Sequence, residues 1–432
     1  MRKYSLHKFT SVVLIGLAVL SYFIGFYFDE NSAGAGSFDS DFGSIWRNLQ
    51  IFINNDIISS LNHPDYFDSR LPIAYLMHEF FNPFIETKIG YRRSVFVISL
   101  ILPVLFFLCL KQKFKQTDNL LLLLVSSTIF LSPYFRTSAY WGLEENYGLI
   151  FLLLTFLSLN YFLYNENLRS YKIYSQIFFI TFCSSCCFYF DQKLTIIPII
   201  CFFQIILSKK NINLKLLTIF FYFLFSLPYI YLVMLWGTII PPAAAHRVRL
   251  GEELLFSNLG YTCTIIGFYI LPILFFLEKS ILNQVRNFFS HKENYFLLSL
   301  FFIYLFYLLN FFDFASLPIL GKGFIHKTAI ILFDRQFLRE IFTYFAFFGS
   351  WIIVLVFLNR NLKNILILLY FLLLSLILLP VEQEYFDPVI LLMAFTFFNS
   401  RIIIDYKNST LLYVYLSLFL IGANIYYANL LN

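Results

Sequence analysis

Two aspartates, Asp39 and Asp41, flank Ser40 in the segment FDSDF (38–42). In extended backbone, residues i and i+2 share a face, so the two carboxylates can converge on one ligand. At a membrane boundary, partial loss of water raises a carboxylate pKa toward a value useful for a general base. A second acidic pair, Glu144 and Glu145, lies in SPYFRTSAYWGLEENYG (132–148). Adjacent acids at a helix entrance favour the positive end of its dipole, and they also suit contact with an acceptor or a metal. Cations occur in segments of the same kind. Arg70 precedes LPIAYLMHEFFNPF (71–84), and Lys193 follows Asp191 in YFDQKLT (189–195). His246, Arg247 and Arg249 cluster in IIPPAAAHRVRLGEELLFS (239–257), and Lys327 accompanies Gly321, Gly323, His326 and Arg335 in 317–340. Such cations suit a phosphate group. Acids beside phosphate-binding cations suit group transfer from a lipid-linked phosphate, with a base on the acceptor hydroxyl and cations on the departing phosphate.

The elements that must position these residues are apolar. The chain has 432 residues, 59% hydrophobic and 13% charged. A soluble domain is about 25% charged, so composition excludes that class. Long apolar runs approach the roughly 20 residues that cross a bilayer as helix. The expected fold is all-α: a polytopic transmembrane helical protein, one integral-membrane domain over 1–432. About thirteen spans are expected, near 10–28, 94–110, 119–133, 147–164, 173–190, 194–207, 216–236, 258–277, 295–311, 341–358, 364–380, 388–398 and 410–428. Residues 1–28 read as a retained first span, since no A-x-A-like site follows the apolar stretch. The excess of Phe (58) and Tyr (30) reads as low-GC coding bias, given that Ile, Asn and Lys are also plentiful.

Alternate connections differ in charge. The segments 1–9, 111–118, 165–172, 208–215, 278–294, 359–363 and 399–409 hold 18 Lys and Arg against 5 Asp and Glu; the rest of the chain holds 13 against 20. Short basic loops stay in the cytoplasm, so the N-terminus is expected there and the C-terminus outside. The outer segments are then 29–93, 134–146, 191–193, 237–257, 312–340 and 381–387, and they carry the candidate residues. The expected location is a bacterial inner membrane with a periplasmic site, the alternative being the endoplasmic reticulum with a lumenal one. In the first outer loop, Ile45, Leu49, Phe52 and Ile53 recur at helical spacing with Trp46 alongside, and 71–84 is again amphipathic. The loop 29–93 is therefore expected to hold an acidic motif and two juxtamembrane helices, a shelf at headgroup depth. Cys183, Cys186 and Cys187 sit in Phe-rich sequence with no second Cys/His cluster nearby, and read as small packing residues. No Walker A, HExxH or GxSxG motif occurs, so nucleotide hydrolysis and protease chemistry have no support.

This layout resembles the GT-C superfamily of integral-membrane glycosyltransferases, on the acidic first-loop segment FDSDF (38–42) and the two amphipathic helices after it. Within it, the order of features is loosely similar to the dolichyl-phosphate-glucose α-1,2-glucosyltransferase family. FDSDF falls where that family has F-x-D-E, DSRLP (68–72) near its Pro-rich helix entrance, GLEEN (142–146) at its third-to-fourth span loop, FDQKL (190–194) at F-R-Q-T-N, and EQEYFDP (382–388) at E-P-R-Y-Y. Asp191 replaces an arginine of that pattern, and the family's histidine-bearing segments are reduced to His246–Arg249 and GKGFIHK. The resemblance implies a polyprenyl-phosphate sugar donor and a lipid-linked or cell-envelope glycan acceptor. It implies Asp39 or Asp41 as catalytic base, with Glu144 and Glu145 as the acceptor or second acidic site. It implies Arg70, Lys193, His246, Arg247, Arg249 and Lys327 at the donor phosphate. Some members use a divalent metal such as Mg or Mn and others do not. Two other classes fit many spans with outer cations. Wzy-type polysaccharide polymerases and O-antigen ligases place their large outer loops in the second half of the chain, whereas here the longest is the first. A flippase or transporter wants charges within spans, and here they lie at the loops.

Overall fold

The computed structural model describes residues 2–33, 41–68, 70–164, 170–208, 211–242, 254–278, 281–311, 321–358, 361–378 and 381–430. Among them every regular element is helical. The helices are α1 (Arg2–Tyr27), α2 (Asp41–Asn54), α3 (Ile57–Leu61), α4 (Ile73–Phe81), α5 (Lys88–Ser99), α6 (Ile101–Lys113), α7 (Asn119–Ser127), α8 (Pro133–Trp141), α9 (Glu145–Tyr164) and α10 (Ser170–Phe190). They continue as α11 (Ile196–Ile206), α12 (Ile212–Trp236), α13 (Ser257–Ile273), α14 (Ile281–Phe289), α15 (Lys292–Phe311), α16 (Gly323–Leu332), α17 (Gln336–Leu358), α18 (Leu362–Ser375), α19 (Val389–Phe395) and α20 (Tyr406–Leu430).

Nine of the described helical stretches are long and apolar enough to cross a membrane: Leu6–Tyr27, Lys88–Lys113, Glu145–Tyr164, Lys172–Phe190, Ile212–Trp236, Ser257–Phe276, Asn294–Phe311, Gln336–Leu358 and Tyr406–Ala428. A tenth candidate, Asn119–Leu131 with Pro133–Trp141, bends by 66°. The bend has a local cause. Pro133 opens α8, where its missing N–H costs nothing, and the Ser132 hydroxyl caps the new helix by accepting from Phe135 N at 3.1 Å. The chain is thus an all-helical, multi-pass, membrane-embedded protein. Large side chains such as Phe223, Phe302, Ile303 and Phe306 stand exposed along these helices, which suits lipid and not water. The apolar runs expected at 194–207, 364–380 and 388–398 are shorter helices, of 11, 14 and 7 residues in α11, α18 and α19.

The chain divides into two compact units, Met1–His246 with Leu416–Asn432, and Arg247–Tyr415. In the first, α1 packs on α7 and α8, α9 lies between α6 and α10, and α2 packs on α4. The amphipathic reading of 41–54 meets its structure here, since Ile45, Leu49 and Phe52 are buried while Ile53 is half-buried. Helix α4 buries Ala74, Tyr75 and His78 and leaves Phe80 and Phe81 exposed. A buried ionic seam holds the end of α1 against α8: Arg136 pairs with Glu30 at 2.6 Å and also donates to Ser21 O and Phe130 O. Beside it Arg92 pairs with Asp29 at 2.6 Å and lies over the Trp141 ring. Gly25 in α1 is small for this reason, because a Cβ there would land on Arg136 and Glu30.

In the second unit α13 is the central helix, buried along most of its length against α16, α17, α18 and α19. Close approach is made by a small residue: a Cβ on Gly267 would sit 2.9 Å from Cβ of Ser350 in α17. Phe301, Phe347, Tyr261 and Leu308 form the buried apolar centre.

Candidate functional site

Three separated segments meet at one end of the first unit. Helix α9 begins where its neighbour α10 ends, so Glu144 and Glu145 come beside Asp191 and Lys193. A Cβ on Gly148 would touch Asp191, which measures how closely the two helix ends approach. Asp68 and Arg70, ahead of α4, join them. The Arg70 guanidinium pairs with Glu145, which also accepts from Ser138 Oγ at 3.4 Å. Asp68 accepts from the Tyr75 hydroxyl and, at 3.0 Å, from Arg70 N. Lys193 reaches Asp191 at 3.3 Å.

The corner is built by Gly142, which ends α8 with φ 72°, a backbone that other residues adopt only with strain. Tyr91 donates to its carbonyl at 3.0 Å, and a Cβ there would strike the Tyr91 ring at 2.7 Å. Helix α2 docks its first turn on the same corner, with the Phe42 ring 6.2 Å from Tyr91 and 6.1 Å from Trp141. His78, neutral because burial lowers its pKa to about 4, bridges Tyr147 Oη at 2.8 Å and Asn82 Nδ2 at 2.9 Å.

Four carboxylates (Asp68, Glu144, Glu145, Asp191) therefore share a site with two cations (Arg70, Lys193). Like charges at close quarters cannot all ionise. Burial favours the protonated form of Glu144. It is 1% exposed, and among the described residues neither of its oxygens has a hydrogen-bond partner. Burial raises its pKa well above the usual range, Asp68, Glu145 and Asp191 add to this, and Arg70 opposes it. Burial also raises Asp191, against the pull of Lys193.

This has a consequence for stability against pH. A carboxyl whose pKa is raised by folding, as burial raises that of Glu144, binds more protons in the folded chain than in the unfolded one above the ordinary glutamate pKa. The contribution is complete at acid pH and is lost as pH rises toward the folded pKa. Glu144→Gln, an isostere of the protonated acid, is expected to shift unfolding at pH 5 by less than about 1 kcal/mol and to flatten the fall in stability at higher pH. Thermal unfolding of both proteins from pH 5 to 9 in one detergent checks this, and an unchanged slope contradicts it.

The structure thus gathers Arg70, Lys193, Glu144 and Glu145, with both cations engaged by carboxylates. Asp41 is half-buried and opens α2, so the extended geometry expected of the Asp39/Asp41 pair gives way to helix at Asp41. Lys327 belongs to α16 in the second unit, where burial lowers its pKa and Glu382 and Glu384 raise it. Asp39, His246, Arg247 and Arg249 lie outside the described residues. Asp68 and Tyr75 were not singled out by sequence; the pattern Asp-x-Arg between two prolines (64 and 72) was the available signal. Among the described residues no three His, Cys, Asp or Glu side chains are placed to hold a metal, and the cysteines form no disulfide. No family model, curated protein or solved structure matches the chain.

Proposed function

We propose that the chain is a membrane glycosyltransferase of GT-C type, moving a sugar from a polyprenyl-phosphate donor to a lipid-linked or cell-envelope glycan acceptor. In this reading the N-terminus is cytoplasmic and the acidic segments face the extracytoplasmic side. The observation that carries the proposal is the buried ionic site that 62–72, 144–145 and 191–193 form beside the start of α2. The exposed Phe80, Phe81 and Phe84 next to it suit contact with lipid at headgroup depth, where such a donor lies.

The chemistry is an in-line displacement. Asp41 or Asp39 takes the proton of an acceptor hydroxyl, whose oxygen forms the new bond to the anomeric carbon. The bond from that carbon to the phosphate oxygen breaks, and the lipid phosphate leaves with the electron pair and with inverted sugar configuration. Within the first unit, Arg70 and Lys193 are assigned to the phosphate, and Glu144 and Glu145 to the acceptor side. Cations aimed at the leaving oxygen stabilise charge as it develops.

The test supplies purified protein in lipid nanodiscs with a panel of polyprenyl-phosphate sugars and lipid or glycan acceptors, read by mass spectrometry. A glycosylated acceptor is expected from at least one pair. The buried Glu144, whose pKa burial raises, also favours a second reading, a proton-linked flippase of lipid-linked sugars. Absence of transfer with every donor, together with pH-gradient-dependent movement of lipid-linked sugar in proteoliposomes, would replace the enzyme by that transporter. A Wzy-type polymerase or ligase would transfer glycan from a lipid pyrophosphate and not from the monophosphate donors.

A further inference from the structure

Within the second unit, Lys322 combines two costs at one residue. Its backbone is left-handed, φ 63°, between Gly321 at 81° and Gly323 at 71°. A glycine or asparagine would adopt that conformation more cheaply than lysine. Its side chain is buried, with the residue 4% exposed, yet among the described residues Nζ has no hydrogen-bond partner and makes no ion pair. Buried ammonium groups are normally paired, because an ammonium carries three donors. Nζ stands 5.5 Å from the centroid of the Tyr261 ring, and that contact satisfies none of the three N–H bonds.

The surroundings are ordered around this lysine. Lys322 N donates to Val381 O at 2.5 Å, and Phe324 N donates to Gln383 Oε1 at 2.9 Å, while Gln383 Nε2 donates to Tyr269 Oη at 3.0 Å. The Tyr261 hydroxyl is itself fully buried without a partner. The His326 ring packs edge-on against the Tyr261 ring at 5.7 Å. Lys327, five residues further on, has Glu382 and Glu384 near it; among the described residues Lys322 has no such carboxylate.

We propose that Lys322 and Tyr261 form a phosphate-binding site at the start of α16, with the Lys322 ammonium and the Tyr261 hydroxyl donating to the same anion. Under the glycosyltransferase reading, on which only the identity of the ligand rests, the phosphate is the headgroup of the polyprenyl donor or of the product it leaves. The same chemistry would also take free phosphate. Burial holds the lysine pKa down to about 7. An arriving anion supplies the missing counter-charge and restores the ammonium form.

The experiment measures binding of farnesyl phosphate, farnesol and inorganic phosphate to the full-length protein in nanodiscs, for wild type, Lys322→Met and Tyr261→Phe. Farnesyl phosphate is expected to bind wild type and to lose about 10- to 100-fold in affinity in Lys322→Met, with a smaller loss in Tyr261→Phe. Farnesol binding is expected to stay unchanged. A parallel loss for inorganic phosphate supports a site that takes phosphate of either source, and loss for farnesyl phosphate alone supports a headgroup site. Tyr261→Phe keeps the ring and decides the matter if Lys322→Met does not fold. Equal binding of farnesyl phosphate by wild type and the folded variants, or no binding by wild type, overturns the proposal. Sugar transfer separates the two readings. Wild-type transfer rates in Lys322→Met remove the site and leave the enzyme, whereas Lys322-dependent binding without transfer from any donor leaves the site and removes the enzyme.

Discussion

Replacing Asp41 by asparagine is expected to lower sugar transfer by at least about 100-fold, because a positioned general base is worth roughly 10²–10⁴ in rate. The effect should fall on kcat with KM little changed, since the carboxylate acts on the proton that moves and not on the donor's bulk. The fold should persist. Asparagine keeps the size of the side chain, and removing one acid from the first turn of α2 costs about 0.3–1 kcal/mol. Asp39→Asn, measured in parallel, identifies the base: the variant that loses turnover carries it. Full activity in both variants would show that the base lies elsewhere, and Glu144 would then be the next carboxyl to replace.

The largest effect on stability is expected at Arg136, which is 1% exposed. Arg136→Met would leave the Glu30 carboxylate and the Ser21 and Phe130 carbonyls without their donor. Removing one partner of a buried ion pair costs about 3–5 kcal/mol, most of it the burden of the charge left behind. The double change Arg136→Met with Glu30→Met is expected to recover much of that loss, because no charge is then stranded. Denaturant unfolding in a single detergent measures both. A double variant as unstable as the single one would mean that the carbonyl contacts, and not the charge on Glu30, make Arg136 necessary.

These two predictions come from different levels of organisation. Asp41 was legible as a candidate because its type and its place after the first apolar run are local facts. So was the helix that follows it, since Ile45, Leu49 and Phe52 recur at the period that a buried helical face requires. The role of Arg136 was not legible. Its sequence position suggested a loop cation, whereas the bend at Pro133 turns it into the end of α1, where Glu30 waits across 106 residues of chain. The pairing of Arg70 with Glu145 spans 75 residues and was equally hidden. Lys193 beside Asp191 could be read directly, being two residues apart in a break between two apolar runs.

The sequence by itself determined that this is a multi-pass helical membrane protein, because hydrophobic transfer depends on the length and composition of each run and hardly on its neighbours. It also determined where the charged residues gather, at the ends of those runs. Tertiary structure alone decided which charges meet, which of them keep a proton and which stay unsatisfied. Glu145, adjacent to Glu144 in the chain, is ion-paired with Arg70, whereas among the described residues the Glu144 carboxyl has no hydrogen-bond partner. Lys322 and Lys327 lie five residues apart, yet among the described residues only Lys327 has carboxylates near it. Coulomb and desolvation energies depend on distances of a few ångströms between segments far apart in sequence, and no local pattern encodes those distances.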